Sequence, residues 1–212
     1  MLDNIQFTKA DRKLLKQILK ARRDIRGNNF IDKKISKKKI KQIIKAASYA
    51  PSVGYSQPWH FIIIKNKKIK YKIYKNFQKE YKKSQKHFQN KPIYNRLKLE
   101  GIIETPINIA VYCKKSKNPI LGTTSQKHMQ QYSVVCAIQN MWLMARTLNI
   151  GIGWVSILNH KKINKILNIK KGYKLIGYLC IGYTKQFSNI PELKKLKWEK
   201  QKKYSTFTSK LT

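Results

Sequence analysis

The sequence predicts an α+β fold, read as one domain over residues 1–212. Three observations carry that prediction. Long stretches repeat apolar residues at helical spacing, short isolated apolar runs read as single strands between them, and no internal repeat or clean linker divides the chain. A length of 212 residues is ample for a hydrophobic core.

Thr8 with Asp11 three residues on is a helix-start signal, and Leu14, Leu15, Ile18 and Leu19 supply an apolar helical face. Gly27-Asn28-Asn29 closes the following segment as a loop. Ser36 caps a second helix that carries Ile40, Ile43, Ile44 and Ala47 on one side and ends at Pro51. Residues 52–58 form an ordered loop or turn, and residues 59–64 a buried strand. From Lys67 to about Lys91 the chain is lysine and aromatic, with Ile69, Ile73, Phe77 and Tyr81 at helical spacing. That is an amphipathic helix or a lid-like insertion reaching to about residue 101, with its aromatics read as a packing stripe. Residues 107–112 form a second strand, and a polar loop follows through Gln126. Residues 129–149 are apolar nearly all round, which predicts a central, buried helix. Residues 151–157 are a strand begun by glycines, suited to close approach of another backbone or a ring. A short helix at about 160–168, a strand at 178–183 and a polar tail after Pro191 complete the chain. The tail is long enough to reach across a partner subunit.

The formal net charge is +38, yet 42% of residues are apolar, which excludes a disordered polycation. The lysines are spread along the chain, with short runs only at Lys37–Lys39 and in 194–203. A nucleic-acid footprint concentrates on one face, so compositional drift is the better reading and a charge-driven nucleic-acid-binding protein the weaker one. Cys113, Cys136 and Cys180 are odd in number, far apart and each in an apolar stretch, which predicts buried thiols. The four histidines show no ligand spacing, so no metal is expected. No apolar run reaches about 18 residues and the N-terminus lacks a leader-like apolar stretch, so no membrane is expected and a cytoplasmic location follows.

Arginine is scarce. The chain has six against forty-one lysines, and three fall in Arg22-Arg23-Asp24-Ile25-Arg26. A guanidinium is planar and forks onto phosphate or carbonyl oxygens, where an ammonium is a hydrated point charge. Three such groups around one carboxylate, on a loop, point to a site for an anionic ligand.

These segments, in order, resemble the FMN-dependent nitroreductase superfamily and, within it, the 5,6-dimethylbenzimidazole synthases of cobalamin biosynthesis. The blocks that carry the likeness are Arg22–Arg26, Ala50–Gly54 with Gln57-Pro58-Trp59, Lys98–Ile102, Tyr132–Asn140, Gly151–Ile157, and Tyr178–Tyr183 followed by Pro191-Glu192-Leu193. The likeness spans about Ala21 to Pro191. One departure is visible: Trp198 is followed by Glu199 to Lys203 without the arginine that such synthases tend to place there.

The resemblance implies a nitroreductase-like α+β fold, with a central mixed or antiparallel sheet flanked by helices. It implies a homodimer with FMN at the interface, each site drawing on both chains. The implied reaction is the oxygen-dependent fragmentation of reduced FMN, consumed as a substrate with O2, to 5,6-dimethylbenzimidazole and erythrose 4-phosphate. A separate flavin reductase would supply the reduced FMN. Arg22, Arg23 and Arg26 would hold the flavin phosphate and the N1/C2-carbonyl edge, with Asp24 and Ile25 in the same segment. Ser52 and Gly54 would line the site from the partner chain, and Leu99 would pack near the ring. Asp24 is the expected proton-handling group, kept charged by the arginines around it. Ser156 is expected to face the flavin N5/C4a region as the second catalytic residue. The alternative is an NAD(P)H-dependent FMN nitroreductase or flavin reductase, which shares the arginine segment and the fold.

Overall fold

The structure is a computed structural model and describes residues 4–209. Its centre is a four-stranded sheet in the order β1-β2-β4-β3, with every neighbouring pair antiparallel. The strands are β1 (Trp59–Ile64), β2 (Ile107–Lys114), β3 (Ile150–Val155) and β4 (Tyr173–Tyr183). The helices are α1 (Lys9–Ala21), α2 (Lys37–Ala47), α3 (Lys67–Gln85), α4 (Met129–Thr147), α5 (His160–Ile166) and a single turn, α6 (Glu192–Lys195).

Helices cover both sheet faces, so the central strands are buried on both sides. In β2 this appears as seven consecutive buried residues. Side chains still alternate across the sheet. Ile107, Ile109, Val111 and Cys113 join Ile43 and Ala47 of α2 and Ile138 and Met141 of α4 in one core. Ala110 and Tyr112 face the other core, with Ile73 and Phe77 of α3, Ile163 of α5 and Tyr178. α3 therefore belongs to the packed body, and only the turns after it, residues 86–99, have the exposure of a lid. The second core holds one polar node. The Asn108 amide donates to the Ile102 carbonyl and the Tyr178 hydroxyl (3.0 and 2.8 Å), and its oxygen accepts from Thr105. With its hydrogen bonds made, this buried amide fastens residues 102–105 to the sheet.

Thr8 and Asp11 form the predicted capping box of α1. Two expectations are corrected. α4 is not buried all round. Val134, Ala137, Ile138, Met141 and Ala145 pack inward, while Tyr132, Val135 and Cys136 face outward. Cys136 is therefore exposed, and only Cys113 and Cys180 are buried thiols. α1 has no buried residue at all: Leu14, Leu15 and Leu19 stand about half exposed. In the C-terminal segment Trp198 packs against Phe88 and Tyr94. Among the described residues no helix is long and apolar enough to cross a membrane, and no group of His, Cys, Asp or Glu is placed to hold a metal ion.

Candidate active site

After α1 ends at Ala21, the chain runs extended along the free edge of β3. The Ile25 amide donates to the Ile152 carbonyl (3.0 Å), and Asp24 forms a parallel bridge with Ile152. Glycine makes this approach possible. A Cβ on Gly153 would lie 2.1 Å from the Ile25 carbonyl oxygen, and one on Gly151 2.8 Å from the Ile25 side chain. The glycine-begun strand thus serves the backbone approach that its sequence suggests. Ile25 itself is buried, so it places its neighbours and does not line a cleft.

The three arginines have different surroundings. Arg23 donates to four carbonyls: Lys20 and Arg22 at the end of α1, and Ser188 and Asn189 in the C-terminal segment. Arg26 donates to the carbonyls of Leu99 (3.0 Å) and Trp154 (3.2 Å) and pairs with the Asp24 carboxylate. Arg22 stacks its guanidinium 5.0 Å above the Trp142 ring, and among the described residues that guanidinium donates no hydrogen bond. Trp142 is itself held, with its indole N–H donating to the Arg23 carbonyl (3.1 Å) and its ring 6.3 Å from that of Trp154. Arg22 is therefore a positioned cation with its N–H fork open.

Asp24 also accepts from the Trp154 backbone N–H (3.0 Å). Burial pushes its carboxyl above the ordinary value, against the pull of Arg26, the Trp154 N–H and Arg22. This reverses the expectation from charge alone, in which the arginines dominated. Desolvation, which a linear sequence does not display, outweighs them.

The arginine segment forms one wall of a 170 Å³ cleft, Leu97–Leu99 a second and Pro191–Leu193 a third. The second wall is fixed by charge. Lys98 pairs with Glu100 and with Glu104 (2.7 Å), and Glu100 also accepts from the Ile102 amide. Burial opposes the charge on Lys98, but the two carboxylates prevail and its pKa is raised. Gly27 lies directly against this cluster. Its amide donates to the Glu100 carbonyl (2.7 Å), and a Cβ there would fall 2.6 Å from Lys98 Cε.

Arg22, Arg23, Asp24, Arg26 and Leu99 are thus brought together, whereas Ser52, Gly54 and Ser156 are not among the residues lining this cleft. The Ser52–Gly54 loop is tied to the start of α4, through the Val53 amide and Ser133 Oγ (3.1 Å). Trp142, nine residues further along α4, marks the arginine end, which places the two groups roughly 14 Å apart along the helix axis. Gly54 has φ +51° and lines a second, larger cleft of 1160 Å³. Ser156 follows the last residue of β3 and is exposed, with its carbonyl accepting from the Leu158 amide (2.8 Å). The cleft also includes residues not predicted for the site, Leu97, Lys98 and Pro191–Leu193, and Trp142 lies beneath Arg22. Trp142 was visible only as one apolar residue among many on its helix. Burial pushes the Cys113 and Cys180 thiols up, so neither is a ready nucleophile.

An antiparallel sheet between helical layers, with an arginine-lined cleft on its β3 edge, is a nitroreductase-type architecture. The sequence profile of the Nitroreductase family matches residues 19–183, and the chain belongs to that family. Within it, the chain is 32% identical over 200 residues to a 5,6-dimethylbenzimidazole synthase of Rhodospirillum rubrum, covering 92% of this chain and 94% of that protein. Among solved structures, a BluB-like flavoprotein from Clostridium difficile 630 superposes with a TM-score of 0.71 at 20% identity, covering 93% of this chain and 99% of that one. A nitroreductase with bound FMN from Bacteroides fragilis gives 0.65 at 20% identity, covering 93% and 98%. At these identities the two structures speak for the fold.

Proposed function

We propose that this protein is a 5,6-dimethylbenzimidazole synthase that consumes reduced FMN with O2. The observation that carries the reading is the likeness to the R. rubrum synthase over nearly the full length of both chains. The site chemistry fits. FMN is an anion with a flat apolar ring, and the cleft offers the open guanidinium of Arg22 beside Asp24, with Leu99 as an apolar neighbour. Arg22 is the residue best disposed to take the phosphate or the ring edge that becomes negative on reduction. Arg26 and Arg23 fix the shape of the site through the carbonyls they hold. Bound reduced flavin supplies the electrons for oxygen chemistry. Asp24, partly buried and with its carboxyl pushed up by that burial, is suited to hold a proton and return it.

The site is proposed to be completed by a second copy of the chain. A cleft of 170 Å³ is below the roughly 300–1,000 Å³ usual for small-molecule sites. Ser52 and Gly54 of the same chain lie at the far end of α4, so within one chain they do not reach the arginines. The exposed apolar faces of α1 (Leu14, Leu15, Leu19) and α4 (Tyr132, Val135) supply a surface for such a homodimer. Ser156, with an exposed hydroxyl, is proposed to act on the ligand in that assembled site. A separate flavin reductase would renew the substrate.

One incubation tests the reading: purified protein, chemically reduced FMN and air, with products separated by liquid chromatography and weighed. A product at the mass of 5,6-dimethylbenzimidazole, lost in Asp24→Asn, is expected. Intact FMN with only peroxide formed would refute it and favour a nitroreductase or flavin reductase that keeps FMN as a cofactor. A nicotinamide-dependent nitroaromatic assay then follows.

A further inference from the structure

The third wall of the cleft, Pro191–Leu193, belongs to a segment held at two ends. At the near end Arg23 donates to the Ser188 carbonyl (2.8 Å) and to that of Asn189. At the far end the Trp198 ring lies 5.6 Å from Phe88 and 6.0 Å from Tyr94, with the Lys91 ammonium 4.4 Å from its centre. Between them α6 makes one turn and stops. The Lys197 and Trp198 amides donate back to the Lys194 and Leu193 carbonyls (3.1 and 2.9 Å), and Lys197 takes φ +55°. This is a Schellman ending with lysine where glycine is usual. The ending reverses the chain and brings Trp198 to the lid turns.

The partners of Trp198 are firm. Tyr94 is buried, stacks on Tyr81 at 5.4 Å, and Tyr81 stacks on Phe77 of the second core at 5.6 Å. The segment itself is lightly held. Ile190, Leu193 and Leu196 are 46, 42 and 37% exposed, so few contacts besides Arg23 and Trp198 keep it down. By contrast Leu97–Leu99 is fixed by Arg26, Gly27 and the Lys98 ion cluster. Of the two walls, the C-terminal one moves more easily.

We propose that residues 188–198 are a strap across the arginine cleft, anchored by Arg23 and latched by Trp198 on Phe88, Tyr94 and Lys91, and that ligand enters and leaves when the latch opens. The proposal rests on that cleft being the ligand site described above. It has a chemical reason, because a flavin that is consumed must be admitted and its products discharged at every turnover. Trp198 is on this account a positioning residue that controls access.

The test compares the full-length chain with Trp198→Ala and Trp198→Phe. Stopped-flow binding of oxidised FMN is expected to show association and dissociation both about tenfold faster in Trp198→Ala, with Kd changed less than about threefold. Trp198→Phe retains a ring and is expected to stay near the parent. Equal rates in all three chains would overturn the strap. Hydrogen exchange without ligand is read alongside. Faster exchange in Trp198→Ala confined to 188–198, with 97–99, β2 and β4 unchanged, supports the latch, and an unchanged pattern overturns it. Should FMN bind none of the chains, the flavin reading falls, and the exchange pattern alone decides the strap.

Discussion

Replacing Gly153 by alanine tests whether the arginine segment is held by backbone contact with β3. The added methyl would lie 2.1 Å from the Ile25 carbonyl oxygen, and backbone cannot swing aside as a side chain can. The segment must lift off the strand. Two hydrogen bonds are then lost or stretched, Ile25 N–H to the Ile152 carbonyl and Trp154 N–H to the Asp24 carboxylate. Each such bond contributes about 1 kcal/mol, somewhat more where one partner is charged, and forced overpacking costs about 1–3 kcal/mol. The expected loss is about 3 kcal/mol, or a fall in Tm of roughly 6–12 °C for a chain of this length. FMN affinity should fall with it, because Arg22 and Arg26 ride on the same segment. Gly172→Ala is the control. It has open space around its Cβ and φ +90°, so only the backbone strain of about 1 kcal/mol is expected. Thermal melts of both variants decide the matter. A Gly153→Ala chain that melts within 2 °C (about 0.5–1 kcal/mol) of the parent and binds FMN normally would refute the account.

Three further outcomes follow from the geometry. The folded-state pKa of Asp24 is raised, so the folded chain holds a proton that the unfolded chain releases, and stability from this group falls as pH rises above its ordinary value of 3.8. Urea melts of Asp24→Asn should therefore show it gaining on the parent from acid towards neutral pH; a constant difference would refute the burial argument. Lys98→Met leaves Glu100, 2% exposed, without its cation. A loss of roughly 2 kcal/mol is expected after allowing for the one-third exposure of Lys98; an unchanged melt would count against it. Arg22→Ala should weaken FMN binding at least about tenfold with little change in Tm, while Arg23→Ala should lower Tm and loosen residues 188–198. Equal effects of the two on binding and stability would show that the arginines are not divided in role.

Much of the architecture could be read from residue order. Thr8 and Asp11 announced the α1 cap, Ser36 the start of α2, and the apolar runs all four strands, because capping and alternation are local signals. The reading of α4 as buried all round failed for a related reason. An exposed apolar surface has the same composition as a core, and sequence cannot tell them apart. Leu14, Leu15 and Leu19 of α1 illustrate the same ambiguity.

For the site, the sequence by itself determined which residues were unusual: a knot of three arginines and one acid in a lysine-rich chain, and glycines where another backbone must come near. Composition and spacing carry such facts because they are properties of the residues. Tertiary structure alone decided how the arginines divide. Arg23 is engaged by carbonyls more than 160 residues away, Arg26 by Leu99, Trp154 and Asp24, and Arg22 rests on Trp142 with its fork open. It also reversed the expected sign of the Asp24 shift and placed Ser52 and Gly54 at the opposite end of α4. Desolvation and hydrogen-bond geometry depend on what the folded chain brings near in space, and no linear pattern encodes that directly.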